Sequence, residues 1–124
     1  RMNDPKILVI DDDPDIGIML KLILEFKGYS ALVAESAEKA NKMVLEDKYD
    51  LIIMDMLLSG ANGTDLCASF RNDPHTRNIP ILMISAHPNA KDLCMKAGAD
   101  EFILKPFDMN EILSKLKELL QRVA

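Results

Sequence analysis

Four apolar runs in this chain each end on a polar residue: Ile7–Ile10 on Asp11-Asp12, Leu51–Met54 on Asp55, Ile81–Ile84 on Ser85, and Phe102–Leu104 on Lys105. Short apolar runs of this kind, bounded by turn-forming residues, read as buried strands. Segments of helical period separate them, so the alternation predicts a parallel sheet with helices on both faces. Parallel strands all end on one edge, and that edge is where an open α/β sheet binds ligands. Three carboxylates, a hydroxyl and an ammonium are therefore expected to meet in one pocket, a grouping suited to a divalent cation and a phosphoryl group.

The segments between the strands carry helix signals. Asp13 is placed to cap a helix with Pro14 at its first position, Ile16, Met19, Leu20 and Ile23 on one face, and Gly28 at its end. A second strand, Ala31–Ala34, has the weakest β signal of the set. Ser36 caps the next helix, whose inner face would be Ala40, Met43 and Val44. Gly60 and Gly63 punctuate the loop after Asp55, and a third helix covers about Thr64 to Phe70. A fourth is expected from Asn89 to Ala97, closed by Gly98. Asp108 and Glu111 have the spacing of a capping box for the last, along which Ile112, Leu113, Leu116, Leu119, Leu120 and Val123 form an apolar stripe. The count is five strands and five helices, and right-handed crossovers restrict them to a few doubly wound arrangements.

A length of 124 residues suits a single domain, here 1–124 with its core at about 6–122. Fifteen basic against twenty acidic side chains give a net charge of −5, which opposes direct nucleic-acid binding without a local basic patch. No apolar run approaches the roughly 20 residues of a spanning helix, and the first residues, Arg1 to Asp4, lack the apolar stretch of a signal peptide. Cys67 and Cys94 lie in apolar helical patterns without paired spacing, as expected of buried thiols in a reducing cytoplasm. His75 falls in an exposed loop, and His87 is expected on the rim of the pocket.

Asp11, Asp12 and Asp55 within a few ångströms of one another would repel unless a cation sat among them. Mg²⁺ suits such a site, because it takes oxygen ligands from one or two carboxylates together with water and phosphate oxygens; Mn²⁺ could replace it. Asp13 and Asp15 read instead as helix-capping and solvated groups. Asp55 is a lone carboxylate in a very apolar stretch, costly to bury without a partner. A metal on one side and Lys105 on the other would keep it ionised and able to attack a phosphoryl group, giving an acyl phosphate. The Ser85 hydroxyl could donate to that group. The residues alone leave the Lys105-Pro106 bond trans by default.

Other chemistries fit less well. A phosphatase of the haloacid-dehalogenase type would use the Asp-x-Asp of Asp11-Asp12-Asp13, but leaves Asp55 without a role. A flavin mononucleotide carrier would want a Ser/Thr/Gly-rich loop where this acidic run stands, and the P-loop pattern is absent.

Taken together, ILVIDDDPDI, DLIIMDMLLSGANG, IPILMISA and AGADEFILKPFD resemble the receiver domains of two-component response regulators, in order and spacing, from Lys6 to about Arg122. The resemblance implies a flavodoxin-like fold with strand order 2-1-3-4-5. It makes Asp55 the phosphoacceptor from a sensor histidine kinase or phosphotransfer protein, Asp12 a direct Mg²⁺ ligand, Asp11 a ligand mostly through water, and the backbone carbonyl of Leu57 a further ligand. Ser85 takes the place of the switch hydroxyl and Phe102 of the switch aromatic, Lys105 pairs with the phosphoryl group, and Pro106 matches a cis proline. Such a domain catalyses its own phosphorylation and dephosphorylation rather than turnover of an external substrate. Phosphorylation would change the surface of the last strand and last two helices, directed at a downstream effector, a fused output domain or a phosphorylation-dependent homodimer. The alternative is a pseudo-receiver, a protein-interaction domain without the chemistry; its usual sign, a lost acceptor, acidic pair or lysine, is missing here. Ser59 departs from the family, many members of which carry proline four residues after the acceptor. Leu57 offers no polar group to orient an attacking water, so a long-lived acyl phosphate is expected.

Overall fold

The computed structural model describes residues 4–122. In chain order the elements are β1 (Lys6–Ile10), α1 (Pro14–Phe26), β2 (Ser30–Ala34), α2 (Ala37–Glu46), β3 (Leu51–Asp55), β4 (Leu57–Leu58), β5 (Ala61–Asn62), α3 (Gly63–Asn72), β6 (Ile81–Ser85), α4 (Ala90–Lys96), β7 (Glu101–Leu104) and α5 (Met109–Arg122). The long strands form one parallel sheet in the order β2-β1-β3-β6-β7. Leaving aside the small β4–β5 hairpin, this is the flavodoxin-like 2-1-3-4-5 order, with five helices.

Alternation along each strand builds two cores. Leu8, Ile10, Ile52, Met54, Ile81 and Met83 point to the face covered by α2, α3 and α4. Ile7, Val9, Leu51, Ile53, Leu82 and Ile84 point to the opposite face, beneath Leu20 and Leu24 of α1 and Ile112, Leu116 and Leu119 of α5. Both faces of the central strands are covered, which is why these strands read as unbroken apolar runs. Each fully buried Ile or Leu contributes about 1.5–3 kcal/mol. Strand order reverses between β1 and β3, and a doubly wound sheet opens a crevice at the carboxyl ends of such a pair. Asp11 and Asp55 stand there.

The caps follow the sequence signals in part. Asp13 accepts from the backbone N–H groups of Asp15 and Ile16, and Ser36 Oγ from that of Lys39. Gly28, at φ +95°, lies just beyond α1. The expected capping box does not form as written: the Asp108 carboxylate takes the Asn110 N–H, while the Glu111 N–H bonds the Asp108 carbonyl. Helix α3 is longer than expected at both ends; at its start Asn62 caps it by accepting the Thr64 N–H at 2.9 Å and hydroxyl at 2.7 Å. Met19, expected inside, is 38% exposed, whereas Gly17 and Leu24 complete the buried face of α1 with Leu20. Leu104 is 45% exposed because β7 is an edge strand. Both cysteines are buried thiols and both histidines are exposed. Val123 of the predicted α5 stripe lies outside the described residues.

The Arg71 guanidinium, which the sequence did not single out, ties the sheet edge opposite the acidic residues. It donates to the carbonyls of Gly98, Arg77 and Ile79 and to Asp100, whose Oδ2 also accepts the Ile81 N–H. One side chain thereby joins the end of α3 to the starts of β6 and β7. Among the described residues no helix is long and apolar enough to cross a membrane.

Candidate functional site

The Asp11 N–H donates to the Ala34 carbonyl at 3.1 Å, continuing the β1–β2 ladder one residue past β1 and turning the carboxyl group into the crevice. That carboxylate is nearly inaccessible, 2% exposed, and its Oδ1 accepts the Asp13 N–H at 2.9 Å. Asp55 is the last residue of β3, and its Oδ1 accepts the Leu57 N–H at 3.2 Å. Asp12 is half-buried; its Oδ2 accepts both the N–H of Ser59, at 2.8 Å, and the Ser59 hydroxyl. Carboxylate oxygens of Asp11, Asp12 and Asp55 lie within 4.8 Å of one another.

Lys105 enters from the end of β7. Its backbone N–H bonds the Ser85 carbonyl at 2.8 Å, extending the β6–β7 ladder, and the peptide bond to Pro106 is cis. The trans default read from residue types is thus corrected, in favour of the bond implied by the resemblance. The ammonium donates to Asp55 Oδ2 at 2.9 Å and stands 3.9 Å from Asp11 Oδ2. Ser85 is buried at the same edge, where its Oγ accepts the His87 N–H at 3.0 Å. Phe102 pairs with Met83 in register, and its half-buried ring packs against the core beneath α2, α3 and α4. Leu57 is 61% exposed beside the crevice.

Three carboxylates face one ammonium, an arrangement short of positive charge. Hard oxygen donors this close together, with Asp12 half-buried, fit a divalent cation such as Mg²⁺. Burial pushes the Asp11 carboxyl above its ordinary range; Asp55 and Asp12 push it the same way, against the Asp13 N–H and Lys105. The Ser59 hydroxyl and N–H hold Asp12 below that range.

These shifts act oppositely on stability. A carboxyl raised by folding binds its proton more tightly in the native state, so its contribution is present at low pH and lost as pH rises through the folded value. A depressed one contributes above its unfolded value and is lost as pH falls through the folded value. Asp11→Asn is accordingly expected to raise the melting temperature by a few degrees at pH 7 in chelator. It keeps an oxygen for the Asp13 N–H while removing a buried charge. The gain should shrink as pH falls through the raised Asp11 value, and thermal melts across pH check this; an unchanged or lower melting temperature at pH 7 would contradict it.

The family model of the response regulator receiver domain matches residues 7–117. The chain belongs to the response regulator receiver domain family. It is 36% identical over 120 residues to the DNA-binding dual master transcriptional regulator RpaA of Synechocystis, an alignment covering 95% of this chain and 50% of that protein. The receiver domain thus spans about half the length of the curated relatives it matches. Among solved structures, a two-component response regulator from Clostridium difficile superposes with a TM-score of 0.89 at 33% identity, covering 97% of this chain and 98% of that one. The response regulator TrrA of Thermotoga maritima, solved in complex with Mg²⁺-BeF, gives 0.84 at 34% identity, covering 93% and 98%.

Two elements of this receiver domain's site escaped the sequence reading. The β4–β5 hairpin looks in the sequence like a glycine-punctuated loop, since its strands of two residues are too short for any period to register. The contact of Ser59 with Asp12 joins residues 47 apart in sequence, and no local signal announces it.

Proposed function

We propose that this receiver domain is a Mg²⁺-dependent phosphoacceptor in which Asp55 takes a phosphoryl group from the phosphohistidine of a sensor histidine kinase or phosphotransfer protein. The observation that carries the reading is the Lys105 ammonium 2.9 Å from Asp55 Oδ2, at a crevice where three carboxylates already converge. An Asp55 oxygen attacks phosphorus as the phosphorus–nitrogen bond of the donor breaks. Lys105 donates to the carboxylate at 2.9 Å and offers its ammonium to the transferred phosphoryl oxygens. Asp12, Asp55 and the Leu57 carbonyl would hold Mg²⁺ directly, with Asp11 acting mainly through water. The ion would supply charge neutralisation at the phosphoryl oxygens, and Mn²⁺ would serve in its place.

Ser85 and Phe102 form the switch in this reading. The hydroxyl leaves the His87 N–H for a phosphoryl oxygen, and the ring turns inward into the space vacated. The state so favoured differs at β7, α4 and α5, where Leu93, Met95 and Leu104 are exposed apolar side chains suited to a changing interface. A downstream effector, a fused output domain or a second phosphorylated copy would read that surface, in the cytoplasm.

Incubation with Mg²⁺ and acetyl phosphate or phosphoramidate should add one phosphoryl group by intact mass, and excess chelator should prevent it. A chain that stays unmodified would instead favour a pseudo-receiver that works by contact alone. The exposed, apolar Leu57 gives a second test, since it cannot orient water towards the acyl phosphate. Leu57→Asn is expected to shorten the lifetime of the phosphorylated form several-fold, followed by the decay of the added mass, and an equal rate would refute the role given to Leu57.

A further inference from the structure

The hairpin beside the site has Ser59-Gly60 as its two-residue turn, with Gly60 at φ +72° and, among the described residues, no non-glycine residue at positive φ. That combination resembles a type II turn, in which proline is common at the first central position and glycine fits the second. Proline there would set the turn but bring neither an N–H nor a hydroxyl. Serine keeps the same turn and adds both donors. The two converge on a single oxygen, Asp12 Oδ2.

We propose that Ser59 is a positioning residue for the divalent cation: it clamps one oxygen of Asp12 so that the other is held ready for the ion. This rests on the metal role given to Asp12 above. An untethered carboxylate must be ordered when it binds a cation, and partners that orient a metal ligand beforehand typically change affinity 10- to 100-fold. Here the ordering is done by the turn of a hairpin, whose fixed backbone carries one of the two donors. Ser59 thereby links the shape of the β4–β5 hairpin to cation affinity.

The test is a calorimetric Mg²⁺ titration of the unphosphorylated protein, in which no phosphoryl chemistry takes part. Ser59→Ala keeps the N–H and should bind more weakly than wild type. Ser59→Pro loses both donors and should bind weaker still, by roughly tenfold. Ser59→Thr, which restores the hydroxyl, should recover wild-type affinity. Melting curves in chelator separate this from a general loss of structure, and if the proline variant does not fold, the alanine and threonine pair decides. Wild-type affinity in Ser59→Ala and Ser59→Pro, with binding lost in Asp12→Asn, overturns the role of Ser59 and leaves the metal reading standing. No binding by the wild-type protein overturns both.

Discussion

Asp55→Asn should take phosphoryl uptake from one group per chain to none detectable while leaving the protein folded. The amide has nearly the shape of the carboxylate. Its oxygen can still accept the Leu57 N–H, which lies 3.2 Å from Asp55 Oδ1. What it lacks is a nucleophilic oxygen with negative charge, so attack on phosphorus should stop. Removing one carboxylate from a crowd of three also relieves repulsion, so the melting temperature in chelator should not fall by more than a few degrees. Intact mass after incubation with acetyl phosphate and Mg²⁺ reads the first outcome, and a thermal melt the second. Continued uptake by this variant would mean that another residue accepts the group.

Gly63→Ala is expected to produce the largest structural damage of any single methyl added near the site. Gly63 is the first residue of α3 and donates its N–H to the Met56 carbonyl at 2.6 Å. A Cβ there would lie 2.5 Å from the Asp55 carbonyl oxygen, 2.8 Å from that of Met56 and 2.9 Å from Met56 Cα. All three are backbone atoms at the end of β3 or directly after it, so no side chain can swing aside. Relief requires moving either the start of α3 or the segment that aims Asp55. A cost of about 3 kcal/mol follows from overpacking of this kind, and for a domain of this size that lowers the melting temperature by roughly 10 °C. Uptake should slow as well, because the displaced segment carries Asp55, the proposed acceptor. An alanine variant that melts with wild type would show that this junction yields freely. Close approach, rather than positive φ, is what demands glycine at this position.

The inner face of α1 was legible only in part, through Ile16 and Leu20 but not Met19, and the reason lies in its composition. Ile16, Ile18, Met19, Leu20, Leu22, Ile23, Leu24 and Phe26 place apolar groups all round the helix. A periodic pattern then has no clear polar face to set against the buried one. Packing chose Gly17, Leu20 and Leu24, leaving Ile18, Leu22 and Phe26 in solvent. By contrast, α5 carries Lys117, Glu118 and Gln121 away from Ile112, Leu116 and Leu119, and within the described residues its buried face matches the apolar stripe.

Two properties followed from the order of residues alone. Unbroken apolar strands, each closed by a polar side chain and separated by capped helices, leave few ways to bury both faces of a sheet, and all of them bring Asp11, Asp55, Ser85 and Lys105 to one edge. Local chemistry suffices there because strand direction and crossover hand are nearly invariant. Tertiary structure decided what depends on contacts between distant segments: the Lys105 ammonium against Asp55, Arg71 spanning three segments, Ser59 on Asp12, and the backbone pressed against Gly63. Such contacts are set by the relative placement of whole elements to within an ångström, and a pattern of residue types along a chain carries no coordinate that fine.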